Sequence, residues 1–415
     1  MKNFILSLGS LFLLAASCNP IQNNDIGPVE ANVRQMTATE TELVQSNVEF
    51  AVRFFQEIEK EGPENHFTGP FSIHQALSMA MNGNEGDILK EFLDVLAFHG
   101  LSKDEANAAV KSLTNYLQSV DPKVKVNIAN GIWYREGFTV RPPFKSAMNT
   151  YYNANVSALN FDEPNAHQLI NNWIASQTND LIKDILDAIP SDAVMYLVNA
   201  IYFKGDWKYQ FDPQKTKKEP FFPKKGGSVQ VDMMESKEKV ALRAGGNNKV
   251  NYLEIPYSTG QYQMAIIQAN SGELSSVLPE ITTENLTFWS ENARETTAIL
   301  KMPKFKMRYK EDDLKSKLKK LGLVTPFSPH PENFSNMFEG NLPPMLISRV
   351  IHEAVIEVDE KGTEAAAATV VEIGLTSVSP GPMVITLDKP FYFLIKEKSS
   401  GAILFMGKLG NPSLL

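Results

Sequence analysis

Between residues 41 and 58 the apolar positions Val44, Val48, Phe50, Ala51, Phe54, Phe55 and Ile58 recur at mostly three- and four-residue spacing, which predicts an amphipathic helix. The same period predicts helices over residues 72–82, 89–96, 105–117, 166–186 and 312–321. Strand-like runs occur at 124–134, 194–203, 250–257, 263–268, 297–307, 355–358 and 383–395. Helices come mostly first and strands mostly later, so the fold class is α+β. A chain of 415 residues could hold two or three domains, but no linker or repeat interrupts residues 45–415. One domain over residues 42–415 is expected.

Residues 363–377 are patterned for two states. Thr363, Ala365, Ala367, Thr369, Val371, Ile373 and Leu375 alternate with Glu364, Ala366, Ala368, Val370, Glu372 and Gly374. A period of two makes this a half-buried strand with both carboxylates on the wet side. The alanines give it little reason to stay in a sheet, since Ala is depleted in strands. The segment is therefore expected as an exposed loop under one condition and a strand under another. A helix is the duller reading of an alanine run between glutamates; Gly362, the β-branched Thr369-Val370-Val371 and Gly374 restrict it to a few residues.

Composition adds limits rather than identity. A hydrophobic fraction of 43% with 24 Phe is ample for one large core, and a net charge of −8 argues against nucleic-acid partners. Lys2 precedes an apolar run from Phe4 to Ala16, too short to span a bilayer and shaped like a secretory signal. The only cysteine, Cys18, follows Leu14-Ala15-Ala16-Ser17. This resembles a bacterial lipoprotein box, which implies removal of residues 1–17, lipidation of Cys18 and an exported protein at the outer membrane or cell surface. Ala15-Ala16-Ser17 also suits ordinary signal peptidase. Residues 18–41 are polar, with Asn19-Pro20 and Gly27-Pro28, and read as a tether. One cysteine permits no internal disulfide, so packing alone must hold the fold in an oxidising compartment.

Enzyme chemistry is hard to find. The sequence has no Gly-x-Ser-x-Gly elbow, His-Glu-x-x-His pair, phosphate-binding loop or dinucleotide fingerprint. Its six histidines, at 66, 74, 99, 167, 330 and 352, lack metal-ligand spacing, and no cofactor is expected. A serine hydrolase whose triad is dispersed in sequence stays open.

The motifs resemble one family. His352-Glu353-Ala354-Val355-Ile356-Glu357-Val358-Asp359-Glu360-Lys361-Gly362-Thr363-Glu364 through Thr369 is similar to the hinge of serpins, the serine-protease-inhibitor superfamily. Lys389-Pro390-Phe391-Tyr392-Phe393 and Gly401-Ala402-Ile403-Leu404-Phe405 resemble the family's C-terminal signature. Leu197-Val198-Asn199-Ala200-Ile201-Tyr202-Phe203-Lys204-Gly205-Asp206-Trp207, Leu253-Glu254-Ile255-Pro256-Tyr257 and Met302-Pro303-Lys304-Phe305 continue the likeness.

The resemblance implies helices packed on a large central mixed β-sheet, two further sheets and an exposed reactive-centre loop. It implies an irreversible suicide-substrate inhibitor of serine proteases, monomeric and not an enzyme, with cysteine proteases as further targets. By the family's spacing the scissile bond is Thr376–Ser377, with Leu375–Thr376 as a second candidate. Glu360, Gly362, Thr363, Ala365, Ala366, Ala367 and Ala368 match the hinge. Ser72, Asn199 and His352 match the polar cluster beneath the sheet's opening point; Trp207 and the Lys304–Glu360 pair match its top. From the residues alone, His352 and Trp207 serve equally as core. Gly69 replaces the usual Ser in Gly69-Pro70-Phe71-Ser72, which implies a simpler network. No Lys or Arg occurs in residues 362–388, so elastase-, chymotrypsin- or subtilisin-like targets are expected. The alternative is a non-inhibitory serpin acting as carrier, chaperone or decoy. A glycosaminoglycan-activated form has little support, because Lys103 and Lys111 face Asp104 and Glu105.

Overall fold

The structure, a computed structural model, describes residues 29–311, 313–341, 343–363 and 383–415. In chain order it begins with α1 (Ala38–Glu59), β1 (Asn65–Thr68), α2 (Pro70–Met81), α3 (Gly86–Val95) and α4 (Lys103–Ser119). Next come β2 (Lys125–Arg135), α5 (Pro142–Ala147), β3 (Asn155–Leu159), α6 (Ala166–Gln177) and β4 (Met195–Asp206). Then follow β5 (Lys217–Phe221), β6 (Val229–Glu235), β7 (Val240–Gly246), β8 (Val250–Pro256), β9 (Tyr262–Ala269) and α7 (Thr283–Asn292). The last elements are β10 (Arg294–Pro303), β11 (Phe305–Lys310), α8 (Leu314–Leu321), β12 (Arg349–Ile351), β13 (Glu353–Val358), β14 (Gly362–Thr363), β15 (Val384–Thr386), β16 (Phe391–Glu397) and β17 (Ile403–Leu409).

α1 starts at a capping box in which Thr37 accepts from the Glu40 amide and Glu40 accepts from the Thr37 amide. Arg34 pairs with Glu40 and lies over the Tyr116 ring, and the Asn32 amide donates to Val120 O at 2.6 Å. The tether expected over 18–41 thus overlaps the folded body from residue 32 onward. α2 has Pro70 at its first turn, where no intrahelical donor is lost, and every one of its residues is buried. It runs beneath the central sheet.

That sheet has the order β11-β13-β14-β4-β2-β3, with β12 paired to β4. It is mixed, because β2·β3 and β12·β4 are parallel and the other pairs antiparallel. A second assembly has the order β1-β17-β16-β9-β8-β7-β10-β6-β5, with β15 on β10. Strand β10 joins its two lobes: residues 294–298 pair with β7 and residues 301–303 with β6. The two further sheets implied by the sequence therefore share a strand. The main apolar core lies between these sheets and α1, α2 and α4, and includes Phe50, Phe54, Phe67, Leu77, Leu113, Leu197, Phe393 and Leu404.

Three sequence expectations change. The helix predicted over 166–186 ends at Gln177, because Asn179, Asp180 and Asp184 take left-handed backbone with φ of 52°, 62° and 57°. Ile182, Ile185 and Leu186 are nonetheless buried, so their apolar spacing reports packing of a loop. The run at 297–307 splits at Lys304, which carries the chain from β10 to β11 in the other sheet. The run at 383–395 splits into β15 and β16 around Lys389-Pro390.

Candidate functional site

Strands β12 and β13 are one line broken at His352. Below the break, Arg349–Ile351 pairs in parallel with Tyr196, Leu197 and Val198 of β4. Above it, β13 pairs with β11 on one side, and β14 enters between β13 and β4 at the far end. Thr363 lies opposite Gly205 on one side and Val358 on the other. Among the described strands, residues 199–204 of β4 and 353–357 of β13 have no ladder partner on the edges that face each other. The central sheet is open in its upper half and closed in its lower half.

The upper end is held by a compact set of groups. Trp207 Nε1 donates to Asp359 O at 2.9 Å, its amide donates to Lys361 O at 2.8 Å, and the Phe211 amide donates to Glu360 O at 2.9 Å. The Trp207 ring stacks on Tyr257 with centroids 4.3 Å apart and planes 12° apart. The buried Tyr257 hydroxyl lies 3.0 Å from Thr363 Oγ1, and Thr363 is 4% exposed. Asp359 Oδ1 accepts the Lys361 and Gly362 amides, which shapes the turn into β14. Lys304 Nζ is 2.8 Å from Glu360 Oε2, and Thr216 Oγ1 donates to Glu360 Oε1 at 2.8 Å. Burial alone would raise the Glu360 carboxyl, but the Lys304 ammonium and the Thr216 hydroxyl outweigh it and hold it below the usual range.

The break at His352 has its own network. His352 Nε2 accepts the Gly69 amide at 2.9 Å and lies 3.2 Å from Thr68 Oγ1, so its ring proton sits on Nδ1. Complete burial holds this imidazole down at about 4, so it is neutral at pH 7. Gly69 brings no side chain to this network, and its donor is the main-chain amide. A Cβ there would lie 3.0 Å from Ile201 Cγ2 and 3.3 Å from His352 Cε1, which leaves little room for a side chain. One turn further along α2, Ser72 donates to Asn199 Oδ1, Asn199 Nδ2 donates to Asn130 Oδ1, and Asn130 Nδ2 donates to Tyr152 O at 2.9 Å. Asn130 and Asn199 are directly opposed on β2 and β4. This ladder ties α2 to the strands just where β4 loses its partner.

The structure thus brings Ser72 and Asn199 together, places His352 one helical turn away, and gathers Trp207, Lys304, Glu360, Gly362 and Thr363 at the sheet's upper end. Ala365, Ala366, Ala367, Ala368, Leu375, Thr376, Ser377 and Cys18 lie outside the described residues. Sequence reasoning missed Asn130, Tyr257, Thr216 and Asp359. Asn130 gave a signal, as a polar residue at mid-strand with apolar neighbours, and Tyr257 lay within a quoted motif without a role. Among the described residues no group of His, Cys, Asp and Glu could hold a metal, and no helix is long and apolar enough to cross a membrane.

The fold is an α+β molecule whose central mixed sheet has a gap above His352, with Gly362 and Thr363 at its mouth. The comparisons identify its family. A profile of the family described as Serpin (serine protease inhibitor) matches residues 45–412. A serpin-like protein of the archaeon Methanosarcina acetivorans is 31% identical over 97% of this chain and 96% of its own. Mouse antithrombin-III is 32% identical over 89% of this chain and 82% of its own. The crystal structure of human thyroxine-binding globulin superimposes with a TM-score of 0.82 at 27% identity, covering 90% of this chain and all of the other. The chain belongs to the serpin family. Its relatives and structural neighbours include proteins named for protease inhibition and one named for thyroxine binding.

Proposed function

We propose that this protein is an irreversible inhibitor of serine proteases that traps its target by inserting its own cut loop into the central sheet. The carrying observation is Gly362–Thr363 seated at the mouth of the gap between β4 and β13. In the proposed reaction the protease serine attacks the Thr376 carbonyl, the bond to Ser377 breaks, and the amine of Ser377 takes up a proton and leaves. The acyl-enzyme ester at Thr376 then travels with the loop. Between Thr363 and Thr376 are thirteen steps, on the order of 43 Å at about 3.3 Å each.

The register supports an order of events. Extending the Thr363–Gly205 pairing would set Ala365 to Ala368 opposite residues 203 to 200 of β4 and Thr369 opposite Asn199. The alanine run thus matches the part of the gap that is already open. Val370 onward would meet residues now paired with β12, so the β4–β12 ladder and the Ser72–Asn199–Asn130 network must yield before Val371 and Ile373 enter. Each of those two would contribute about 1.5–3 kcal/mol once buried. Small residues enter first and apolar ones drive the later stage.

With no Lys or Arg in residues 362–388, the targets are elastase-, chymotrypsin- or subtilisin-like enzymes. Export and lipidation at Cys18 complete the proposal, placing the inhibitor at a bacterial cell surface; a Cys18→Ala variant should then lose labelling by a fatty acid analogue. The direct test mixes the protein with neutrophil or pancreatic elastase and resolves the products on a denaturing gel. A band at the summed mass is the expected result, and the first residue of the released C-terminal peptide gives the bond. Clean cleavage with active protease across a panel of such enzymes would overturn inhibition in favour of a decoy or carrier.

A further inference from the structure

A cleft of about 460 Å³ opens where the ends of β9, β16 and β17 meet the 3-10 turn Leu274–Glu280 and the loop after β5. No residue of the hinge or of the His352 network lines it. Its volume falls within the range of about 300–1,000 Å³ usual for small-molecule sites. One wall is apolar, formed by Leu274, Leu278 and Phe222, and Phe222 is 45% exposed at the mouth. An aromatic ring left half in water beside a concave surface is available to a ligand.

The polar side of the cleft runs against the character of the chain. The whole protein carries −8, yet the four lysines at 224, 225, 389 and 408 outnumber the three glutamates, at 59, 64 and 273, that line the cleft with them. Lys224 is paired with Glu273 at 2.7 Å and Lys408 with Glu59 at 3.2 Å. Lys225 acts on Glu273 only from beyond ion-pair distance, and Lys389 closes no ion pair among the described residues. The floor is built rather than accidental. Glu59, with its side chain 3% exposed, accepts from Tyr392 Oη at 2.7 Å and meets His66 Nε2 at 2.8 Å, which fixes the carboxylate that holds Lys408. Lys408 spends a second donor on Pro63 O at 2.8 Å, leaving its third for a ligand.

We infer that this cleft binds a small organic anion with an apolar body, the charge meeting Lys225, Lys389 and the remaining Lys408 donor while the body lies on Phe222, Leu274 and Leu278. The inference stands apart from protease inhibition. Isothermal titration calorimetry of the purified protein with octanoate, and with 1-octanol as its neutral counterpart, tests it. Octanoate should bind saturably and about tenfold more tightly than octanol. The double variant Lys225→Glu, Lys389→Glu should weaken octanoate by about tenfold and octanol by less than about twofold, while Phe222→Ala should weaken both. These are surface positions, and an unchanged thermal midpoint verifies that each variant folds. No saturable binding up to about 5 mM, equal affinity for the two ligands, or octanoate binding indifferent to the charge reversal would each overturn the assignment.

Discussion

At Gly362 a single methyl decides whether the hinge can dock. A Cβ there would lie 2.3 Å from Gly205 O and 2.5 Å from Asp206 Cα, both backbone atoms that cannot swing aside. Gly362→Ala should therefore push β14 out of the sheet, at a cost of about 1–3 kcal/mol to docking. Trp207, whose ring donates to Asp359 O, reports the change: its emission should shift and the Trp207 and Phe211 amides should exchange faster. Unchanged spectra and exchange would show that the hinge can dock in another way. Asn130 makes a second case. Asn130→Ala leaves the Asn199 amide group without its acceptor in a site where both residues are buried. The loss should be about 1–3 kcal/mol, read as a lower thermal midpoint and faster spontaneous closure of the sheet.

Elements behave according to what flanks them. Thr363 points into the sheet with its hydroxyl on Tyr257, so Thr363→Arg would have to bury an unpaired guanidinium at the start of the new strand. Insertion should slow, and the protease should finish hydrolysis and leave; the denaturing gel should show cleaved protein in place of complex. Trapping at full stoichiometry would mean that Thr363 does not enter the sheet. The inward place of Thr363 was legible in the sequence, because a strand's period of two sets it on the face expected to be buried. So were α1 and the long strands β2 and β4, whose patterns run over many residues. What could not be read was pairing. Nothing local in Met302-Pro303-Lys304-Phe305 says that the chain changes sheets at Lys304, and nothing in Asn130 says that its partner sits on β4. Strands β1, β3, β5, β6, β7, β12 and β17 were missed for the same reason, since their conformation is settled by the neighbours they pair with. The end of α6 was misread because buried loop residues imitate a helical stripe.

For the whole molecule, acid is the simplest probe of the closed lower half. His352 and His74 are buried and neutral, each held down at about 4 chiefly by desolvation. The unfolded chain takes up these protons near pH 6.5, whereas the folded one does not until about pH 4. Stability is therefore retained above 6.5 and lost as pH falls through that window, by about 1.4 kcal/mol per unit for each group. Thermal midpoints should be flat near pH 7–8 and fall below about 6.5. His352→Gln, which keeps an acceptor for the Gly69 amide, should flatten that fall.

Strands β15, β16 and β17 all follow the expected scissile bond, and β16 and β17 are almost wholly buried between β1 and β9. A cut at Thr376–Ser377 would therefore divide the chain without parting the pieces. Under native mass spectrometry the nicked protein should weigh one water more than the intact one, and only denaturant should release its C-terminal fragment. Counting chains and counting particles would give different answers for the same sample.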